Sequence, residues 1–396
     1  MRILHTADWH LGKTLEGRSR LPEQAEFLDE LAEIAEREKI DAILMAGDVF
    51  DTVNPPAAAE QLFYESLSRL SDNGRRPVTV IAGNHDNPDR LSAAAPLAFQ
   101  QGIQLIGYPV SGLIEVAVPS AQQTMMVAAL AYPSEARLSE VLSDGLDELL
   151  LRDEYDARIR GLFEAMCSGF RTDTVNMAMS HIYVAGGSSS DSERPIEVGG
   201  AYTVAATSLP EAAQYVALGH LHRPQEMKRA KTIARYSGSP LAYSFSEAGY
   251  AKSVSIIEAD PGKPAAVSEI LLSSGKPLVQ WRAEGGISQV YSWLNEGRDQ
   301  NAWVDLEIHL TDTLSIEEIQ NLRKNHPGLI HIRPIFPQEQ LSSEPAAKKE
   351  GLPIDQLFTR FYERQTNGAV PDHELVKLFM ELIHDEEAKP EEDVLL

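Results

Sequence analysis

Short apolar runs alternate with amphipathic helical segments in the first third of the chain. Residues 2–7, 42–46 and 78–82 are apolar runs of the length that buried strands usually have. Between them, apolar residues recur at helical spacing over residues 22–38 and 55–70, and prolines stand at both starts. This β-α-β-α-β alternation predicts an α/β fold, in which ligand sites lie at the carboxyl ends of the strands.

After residue 90 the pattern predicts more strands and fewer helices. One long helical segment covers about residues 145–170. The predicted strands cover residues 104–106, 114–118, 125–130, 175–179, 215–218, 235–236, 253–258 and 267–272. We expect this first domain to end at residue 274.

The remainder of the chain predicts smaller parts. Residues 275–337 contain their own strands and helices and predict a small α+β capping domain. The polar stretch 338–352 is typical of a linker. Residues 353–386 carry two helical apolar stripes, which predict a helical hairpin that needs a surface to pack against. Residues 387–396 predict an acidic, disordered tail.

Composition and charge limit the classes of protein to which the chain can belong. At 396 residues, two or three domains are expected. The net charge of −24 is unlike that of a protein that binds nucleic acid unaided. It leaves open a small or metal-chelated phosphate substrate, a nucleic acid bound mainly through a partner, and local basic patches. The N-terminus has no signal-peptide pattern and no apolar run spans a bilayer, so a cytoplasmic protein without membrane attachment is expected.

Carboxylate, amide and imidazole side chains follow five of the predicted strands. Such oxygen and nitrogen atoms are ligands of Mn²⁺, Fe²⁺ or Zn²⁺, and seven of them suit two metals that share one carboxylate. Cys167 is the only cysteine, which excludes a thiolate zinc site. We therefore predict a hydrolytic metal centre whose ligands are Asp8, His10, Asp48, Asn84, His181, His220 and His222.

The spacing within these clusters suggests how they act. Asp8 and His10 stand two residues apart, as do His220 and His222, and in an extended segment such pairs share a face. His85 is adjacent to Asn84, so its side chain diverges and is free to protonate a leaving alkoxide or to stabilise charge on the phosphate. Each cluster taken alone is also compatible with a structural role, such as a turn or helix cap or, for His181, an ordinary core histidine. Capping of the next helix is the expectation for Asp51.

The ordered set D-x-H, G-D-x-x-D, G-N-H-D, H and G-H-x-H resembles the calcineurin-like metallophosphoesterase superfamily. The resemblance implies a β-sandwich flanked by helices, with a dinuclear metal centre. By the same resemblance, Asp8, His10 and His222 bind one metal and Asn84, His181 and His220 the other, and Asp48 bridges them. His85 is then the catalytic histidine.

Within that superfamily, the segments TADWHLGK, AGDVFDT, AGNHD, MSHIYV, LGHLHRPQ and YSGSPLAYSFSE resemble the SbcD family of bacterial nuclease subunits. The resemblance implies a Mn²⁺-dependent double-strand exonuclease and single-strand endonuclease of DNA repair and recombination. It also implies an SbcC-type ATPase partner of the structural-maintenance class, and a homodimer for which residues 57–70 and 89–99 are candidates. Asp51 departs from the family pattern, because archaeal and eukaryotic relatives carry a histidine there.

Two other functions compete with a DNA nuclease. The same ligand set serves small-molecule and cyclic-nucleotide phosphodiesterases across the superfamily, although these need no helical hairpin. The second is a non-catalytic scaffold that tethers DNA and uses the metals only for stiffness, which the intact ligand set disfavours.

Overall fold

The computed structural model describes residues 1–109, 112–138, 148–196, 202–311, 313–336 and 353–365, together with 371, 373 and 375–380. The chain divides into two compact units, Met1–Ile335 and Phe336–Leu396. Within the described ranges no helix has the length and apolar character needed to cross a membrane.

Two mixed sheets and the helices beside them form most of the first unit. Short 3₁₀ turns at Ala206–Ser208 and Phe245–Glu247 accompany the longer elements. In chain order these are β1 (Arg2–Thr6), β2 (Thr14–Leu15), β3 (Arg18–Ser19), α1 (Leu21–Arg37), β4 (Ala42–Ala46), α2 (Ala57–Ser71), β5 (Val78–Ile81), α3 (Pro88–Ser92), α4 (Ala95–Phe99), β6 (Ile103–Ile106), β7 (Ile114–Val118), β8 (Gln123–Leu130), α5 (Glu135–Leu138), α6 (Glu148–Cys167), β9 (Val175–His181), β10 (Tyr183–Val184), β11 (Thr203–Val204), β12 (Tyr215–Gly219), β13 (Gln225–Glu226), β14 (Ile233–Tyr236), β15 (Ser253–Glu258) and β16 (Ala266–Leu271).

The two sheets pack face to face, as the predicted β-sandwich requires. The first has the order β16-β15-β1-β4-β5-β6 and is parallel from β1 to β6. The second has the order β13-β14-β12-β9-β8-β7 and is parallel from β14 to β8. Met177 and Met179 of β9 belong to the core shared with the first sheet, whereas Ala178 faces the core beneath α6. This alternation places one layer of side chains between the sheets and another outside them.

Helices α1 and α2 cover the outer face of the first sheet. Pro22 lies in the first turn of α1, and Phe27 and Leu31 are buried one turn apart. In α2, Phe63, Leu67 and Leu70 form the buried stripe. These helices return the chain between parallel strands, so that β1, β4 and β5 all end at the same edge of the sheet.

The first unit also contains a small layer built from β17 (Leu278–Ala283), α7 (Gly286–Asn295), β18 (Trp303–His309), α8 (Ile316–Asn325) and β19 (Leu329–Ile335). Its three strands are parallel, with a helix after each of the first two, which is a more regular arrangement than the α+β pattern expected for the capping domain. Trp303 Nε1 donates to Glu23 Oε1 of α1 at 3.0 Å and joins this layer to the sandwich. The predicted boundary at residue 274 stays a prediction.

The second unit contains α9 (Ile354–Gln365), and residues 375–380 are also helical. The rings of Phe358 and Phe379 stack at 4.0 Å between centroids, so the two helical segments contact each other as a hairpin would. The predicted linker 338–352 and the acidic tail 387–396 lie outside the described residues, as do parts of the predicted hairpin.

Candidate metal centre

The loops after β1 and β4 are hydrogen-bonded to each other at the edge where the strands end. Asp8 N–H donates to Gly47 O and His10 N–H donates to Asp48 O, both at 3.0 Å. Asp8 and His10 have φ of 56° and 45°, so the segment is not extended. The prediction that an extended backbone places Asp8 and His10 on one face is therefore wrong, although both side chains do point into one site. His220, with φ of 107°, departs from the extended form in the same way.

One group of donor atoms comes from the first and last of the predicted clusters. Ligand atoms of Asp8, His10 and His222 all lie within 4.8 Å of one another, and the three side chains are buried. The Nε2 atoms of His10 and His222 are 3.0 Å apart. His220 N–H donates to Asp8 Oδ1 at 2.9 Å, so the backbone of the G-H-x-H segment orients this carboxylate.

A second group lies beside the first. His181 Nε2 is 2.8 Å from Asn84 Oδ1, and the rings of His181 and His220 are 5.4 Å apart between centroids. Among the described residues, His220 lies in no group of three His, Asp or Glu side chains whose ligand atoms all come within 4.8 Å of one another. Its part in the second group therefore stays a prediction. His181 Nδ1 donates to Ala46 O at 2.9 Å, which leaves Nε2 free to act as a ligand.

Asp48 lies between the two groups. Its Oδ2 atom is 3.6 Å from His10 Nε2 and 3.4 Å from His181 Nε2. Its Oδ1 atom accepts from His85 N–H at 2.9 Å. One carboxylate therefore faces donors of both groups, which is the arrangement that a bridging ligand needs.

The donor set fits two divalent cations. Two neighbouring ligands at about 2.1 Å from one ion are separated by about 3 Å, which is close to the His10–His222 and His181–Asn84 separations. Within the described part of the chain, the buried atom Asp8 Oδ2 has no hydrogen-bond partner. Buried polar atoms are normally satisfied, so a carboxylate oxygen without a hydrogen-bond partner among imidazoles fits the role of a cation ligand.

Burial and mutual charge set the protonation of the site. Burial lowers the pKa of His10 to about 3 and, with the neighbouring His181, holds that of His220 well below its usual value. Both imidazoles are thus neutral at pH 7, the form that binds metals. Burial alone would raise the pKa of Asp48, but the adjacent His181 holds it well below its ordinary range. Burial raises the pKa of Asp8 to about 7.

His85 lies at the edge of the donor set. Its Nδ1–H donates to Asp51 O at 2.7 Å, and its Nε2 is 3.9 Å from Asp48 Oδ2. Asp51 does not cap the following helix, because Pro56 is the residue at that position. Instead its carbonyl orients His85, and its carboxylate binds Lys13 Nζ at 2.8 Å and lies 3.5 Å from His10 Nδ1.

At two positions beside the site only glycine fits, because a neighbouring side chain lies too close to the backbone for a Cβ atom. A Cβ on Gly47 would lie 2.4 Å from His181 Nδ1, and Gly47 has φ of +91°. A Cβ on Gly83 would lie 2.1 Å from Asp48 Oδ1. The glycine that precedes Asp48 therefore makes room for His181, and the one that precedes Asn84 makes room for Asp48.

The residues that support the proposed ligands are not apparent from the sequence. The Ser192 hydroxyl lies 2.6 Å from His222 Nδ1 and also hydrogen-bonds with Glu247. Glu247 is fully buried, and Lys252 binds its other oxygen. Glu247 ends the segment YSGSPLAYSFSE, which carries a family resemblance but predicts no role for the glutamate. Nothing local in the sequence connects it to a histidine 25 positions earlier.

A cavity away from the proposed metal centre is a poor candidate for the active site. It measures about 760 Å³ and is lined by residues at the amino-terminal ends of β9, β12 and β14, including Asn176 and Gln214. Lys231 within it is paired with Glu211 at 3.2 Å. None of the predicted ligands lines this cavity.

Comparison with known families and proteins gives consistent matches. A family model described as calcineurin-like phosphoesterase matches residues 1–224, and one described as type 5 capsule protein repressor C-terminal domain matches residues 274–366. A Bacillus subtilis protein, named as the SbcD component of nuclease SbcCD, is 69% identical over 392 residues, which cover 98% of this chain and 100% of that protein. A Rhodobacter capsulatus protein of the same name is 36% identical over 299 residues, 72% of each chain.

Solved structures show weaker similarity. One from Thermus thermophilus is 14% identical, with a TM-score of 0.37, and covers 69% of this chain and 99% of that chain. A similarity at this level supports no conclusion about function.

Proposed function

The chain belongs to the calcineurin-like phosphoesterases and, within them, to the SbcD nuclease subunits, and from this premise we propose that it cleaves DNA at the centre described above. Family membership makes it a hydrolase. The observation that supports the proposed site best is the position of Asp48 Oδ2, within 3.6 Å of a histidine donor from each group. We propose Asp8, His10 and His222 as ligands of one ion, Asn84, His181 and His220 as ligands of the other, and Asp48 as the bridge.

A dinuclear metal site fits these residues, and we propose Mn²⁺ as the metal. Hard oxygen donors mixed with imidazoles suit this ion. When bound, the two ions would polarise the phosphodiester and lower the pKa of an attacking water.

His85 is proposed to protonate the leaving oxygen. Its Nδ1–H is held by Asp51 O, so the Nε2 atom is the one directed at the substrate. In the imidazolium form of His85 both ring nitrogens carry a proton. When the P–O bond breaks, the leaving oxygen takes the proton from Nε2 and departs as an alcohol instead of an alkoxide, and His85 is left neutral with its remaining proton on Nδ1. The adjacent Asn84 contacts His181, so one short loop supplies both a ligand and the acid.

The second unit is proposed to bind an SbcC-type ATPase. Its described helical residues expose Ile354, Leu357 and Leu378, between 46% and 53% accessible. Apolar side chains exposed in this number usually belong to an interface, and an amphipathic helical pair suits a groove on a coiled coil. A partner that binds DNA would also explain how a chain of net charge −24 approaches a polyanion.

A homodimer is proposed as well. Leu97 and Phe99 of α4 are 73% and 65% exposed, and Tyr64 of α2 is partly exposed. These side chains lie in or beside the two segments expected to form the dimer. Light scattering of the wild-type chain and of Leu97→Glu with Phe99→Glu tests this, since the dimer predicts a halved mass for the variant. For the cell we propose the cytoplasm, where a DNA-repair nuclease meets its substrate.

A substrate comparison separates this function from its rivals. Linear duplex DNA, hairpin DNA, 2′,3′-cyclic nucleotides and bis-p-nitrophenyl phosphate are incubated with the protein and Mn²⁺, with and without the ATPase. The proposed nuclease cleaves DNA and is stimulated by the ATPase with ATP. Cleavage of cyclic nucleotides but not DNA would favour a small-molecule phosphodiesterase, and DNA binding without cleavage would favour a scaffold.

A further inference from the structure

An arginine from the second sheet reaches the loop that carries Asn84 and His85. Strand β8 ends at Leu130, and Tyr132 N–H then donates to Ala82 O, next to the end of β5 in the first sheet, at 2.9 Å. The short helix α5 follows and presents Arg137 to residues 83–86, here called the 83–86 loop. Arg137 thus crosses from one sheet to the other at the edge that holds the metal centre.

The Arg137 guanidinium binds both ends of the 83–86 loop. Nη1 donates to Gly83 O at 2.8 Å and Nη2 donates to Asp86 O at 2.5 Å. These carbonyls stand immediately before Asn84 and immediately after His85. The planar fork of an arginine can bind two acceptors at a fixed separation, whereas the single ammonium of a lysine is a point donor.

Arg137 is itself held in place. Its guanidinium lies 5.1 Å from the centroid of the Tyr132 ring, and that ring contacts His181 edge to face at 6.4 Å. Arg137 therefore contacts the loop that carries the proposed ligand Asn84, and the Tyr132 ring lies between it and a second proposed ligand, His181.

The loop has a second, independent anchor. The buried Asp86 carboxylate accepts from Gly83 N–H at 2.8 Å and from the N–H groups of Val49 and Phe50 at 3.1 and 2.9 Å. Loss of Arg137 leaves these bonds in place, so the loop should still fold. The variant loses only the hydrogen bonds that hold the carbonyls at the two ends of the loop. Those bonds set the directions of the Asn84 and His85 side chains.

We propose that Arg137 is a positioning residue for His85, which it aims at the leaving oxygen by fixing both ends of the 83–86 loop. This inference rests on the proposed function, in which His85 protonates that oxygen. It assigns Arg137 no contact with the substrate and no role as a metal ligand.

Two substrates with different leaving groups test the inference. An alkoxide released from DNA needs a proton, whereas p-nitrophenolate is stable without one. Arg137→Ala should therefore lower kcat on single-stranded DNA by about 10–100-fold and change kcat on bis-p-nitrophenyl phosphate much less. Arg137→Lys should not restore DNA cleavage, and added guanidinium should restore part of it in Arg137→Ala. Arg152→Ala, which removes an exposed arginine of α6, is the matched control.

Two further measurements do not depend on the activity of the metal-loaded enzyme. At saturating Mn²⁺, calorimetry should find the same metal stoichiometry in Arg137→Ala and in wild type. In the metal-free protein, the NMR signal of the His85 Nδ1–H should exchange faster with water in Arg137→Ala, because the ring is less firmly held against Asp51 O.

A double-mutant cycle makes the result decisive. If Arg137 acts through His85, Arg137→Ala with His85→Ala should be no slower on DNA than His85→Ala alone. Equal losses on both substrates, additive effects, loss of a metal, or wild-type DNA cleavage by Arg137→Ala would each overturn the inference. Failure of the wild-type chain to cleave DNA would instead refute the proposed function.

Discussion

Asp86 joins the loops that carry Asp48 and His85. Its fully buried carboxylate accepts three backbone N–H groups, one from its own loop and two from the loop after β4. The pKa of Asp86 is raised to about 6, mainly because the carboxyl group is buried and also because the negative charge of Asp48 is close by. Glu247 has a comparable role beside His222, which it supports through Ser192. Individual side chains outside the proposed ligand set therefore hold the proposed ligands in place.

His85 is the residue whose role can be separated from metal binding. His85→Ala should retain both metals and lower DNA cleavage by about 10² or more, since a general acid is lost and no ligand is removed. Metal content by elemental analysis and cleavage rates check this, with the exposed His309→Ala as control. A fall in metal content in parallel with activity would mean that His85 is a ligand.

Glu247 should affect metal affinity and not the acid step. The Ser192 hydroxyl donates to Glu247 and therefore accepts from His222 Nδ1–H. This places the proton of His222 on Nδ1 and leaves Nε2 for the metal. Glu247→Gln weakens this preference, so calorimetry should show Mn²⁺ binding weaker by about 10–100-fold. Asp156→Asn, which alters a carboxylate bound to Ala205 and Ser208, is the control and should bind Mn²⁺ normally. Unchanged affinity in Glu247→Gln would exclude the support role.

At the scale of elements, strands with regular patterns were predictable and short ones were not. Strands β4, β7 and β15 begin and end where the apolar runs predicted. The hairpin of β2 and β3 was missed, because two-residue strands show no periodicity and their pairing depends on Glu16 and Gly17 at positive φ. Likewise, the seven proposed ligands were each singled out from local motifs and stay predictions, whereas Arg137 and Glu247 contact residues far away in sequence.

The loop that follows β5 has no room for a methyl group at Gly83. In Gly83→Ala the new Cβ would meet Asp48 Oδ1 at 2.1 Å, so Asp48 or the 83–86 loop must shift. We expect loss of metal binding and destabilisation by about 1–3 kcal/mol, the usual cost of overpacking. Gly161→Ala in α6 is the matched control, because its Cβ meets nothing within 4 Å and should stabilise the helix by about 0.5–1 kcal/mol. Calorimetric unfolding and metal content measure both, and normal metal binding by Gly83→Ala would contradict the assigned packing.

At the scale of the whole molecule, catalysis and partner binding are assigned to different units. All the proposed ligands lie in Met1–Ile335, and the exposed apolar helices lie in Phe336–Leu396. The charge is unbalanced, with 59 acidic against 35 basic side chains, which disfavours unaided binding to long DNA. The chain therefore suits a nuclease subunit that depends on a partner for delivery of DNA.

Truncation after Ser343 tests this division. The shortened chain should cleave short single-stranded DNA with Mn²⁺ at nearly the wild-type rate, because the whole first unit remains. It should no longer co-purify with the ATPase or respond to ATP, because the exposed helices are gone. A truncated chain that still binds the ATPase, or one that is unfolded by circular dichroism, would contradict the assignment.

The most direct test of the account is the metal content of Asp48→Ala. If Asp48 bridges, the wild-type chain binds two Mn²⁺ ions at saturation, and the variant binds at most one and cleaves no DNA, because removal of the shared carboxylate leaves two cations facing each other uncompensated. Inductively coupled plasma mass spectrometry of dialysed protein gives the stoichiometry, with Asp156→Asn as control. Two tightly bound ions in Asp48→Ala would contradict the central claim.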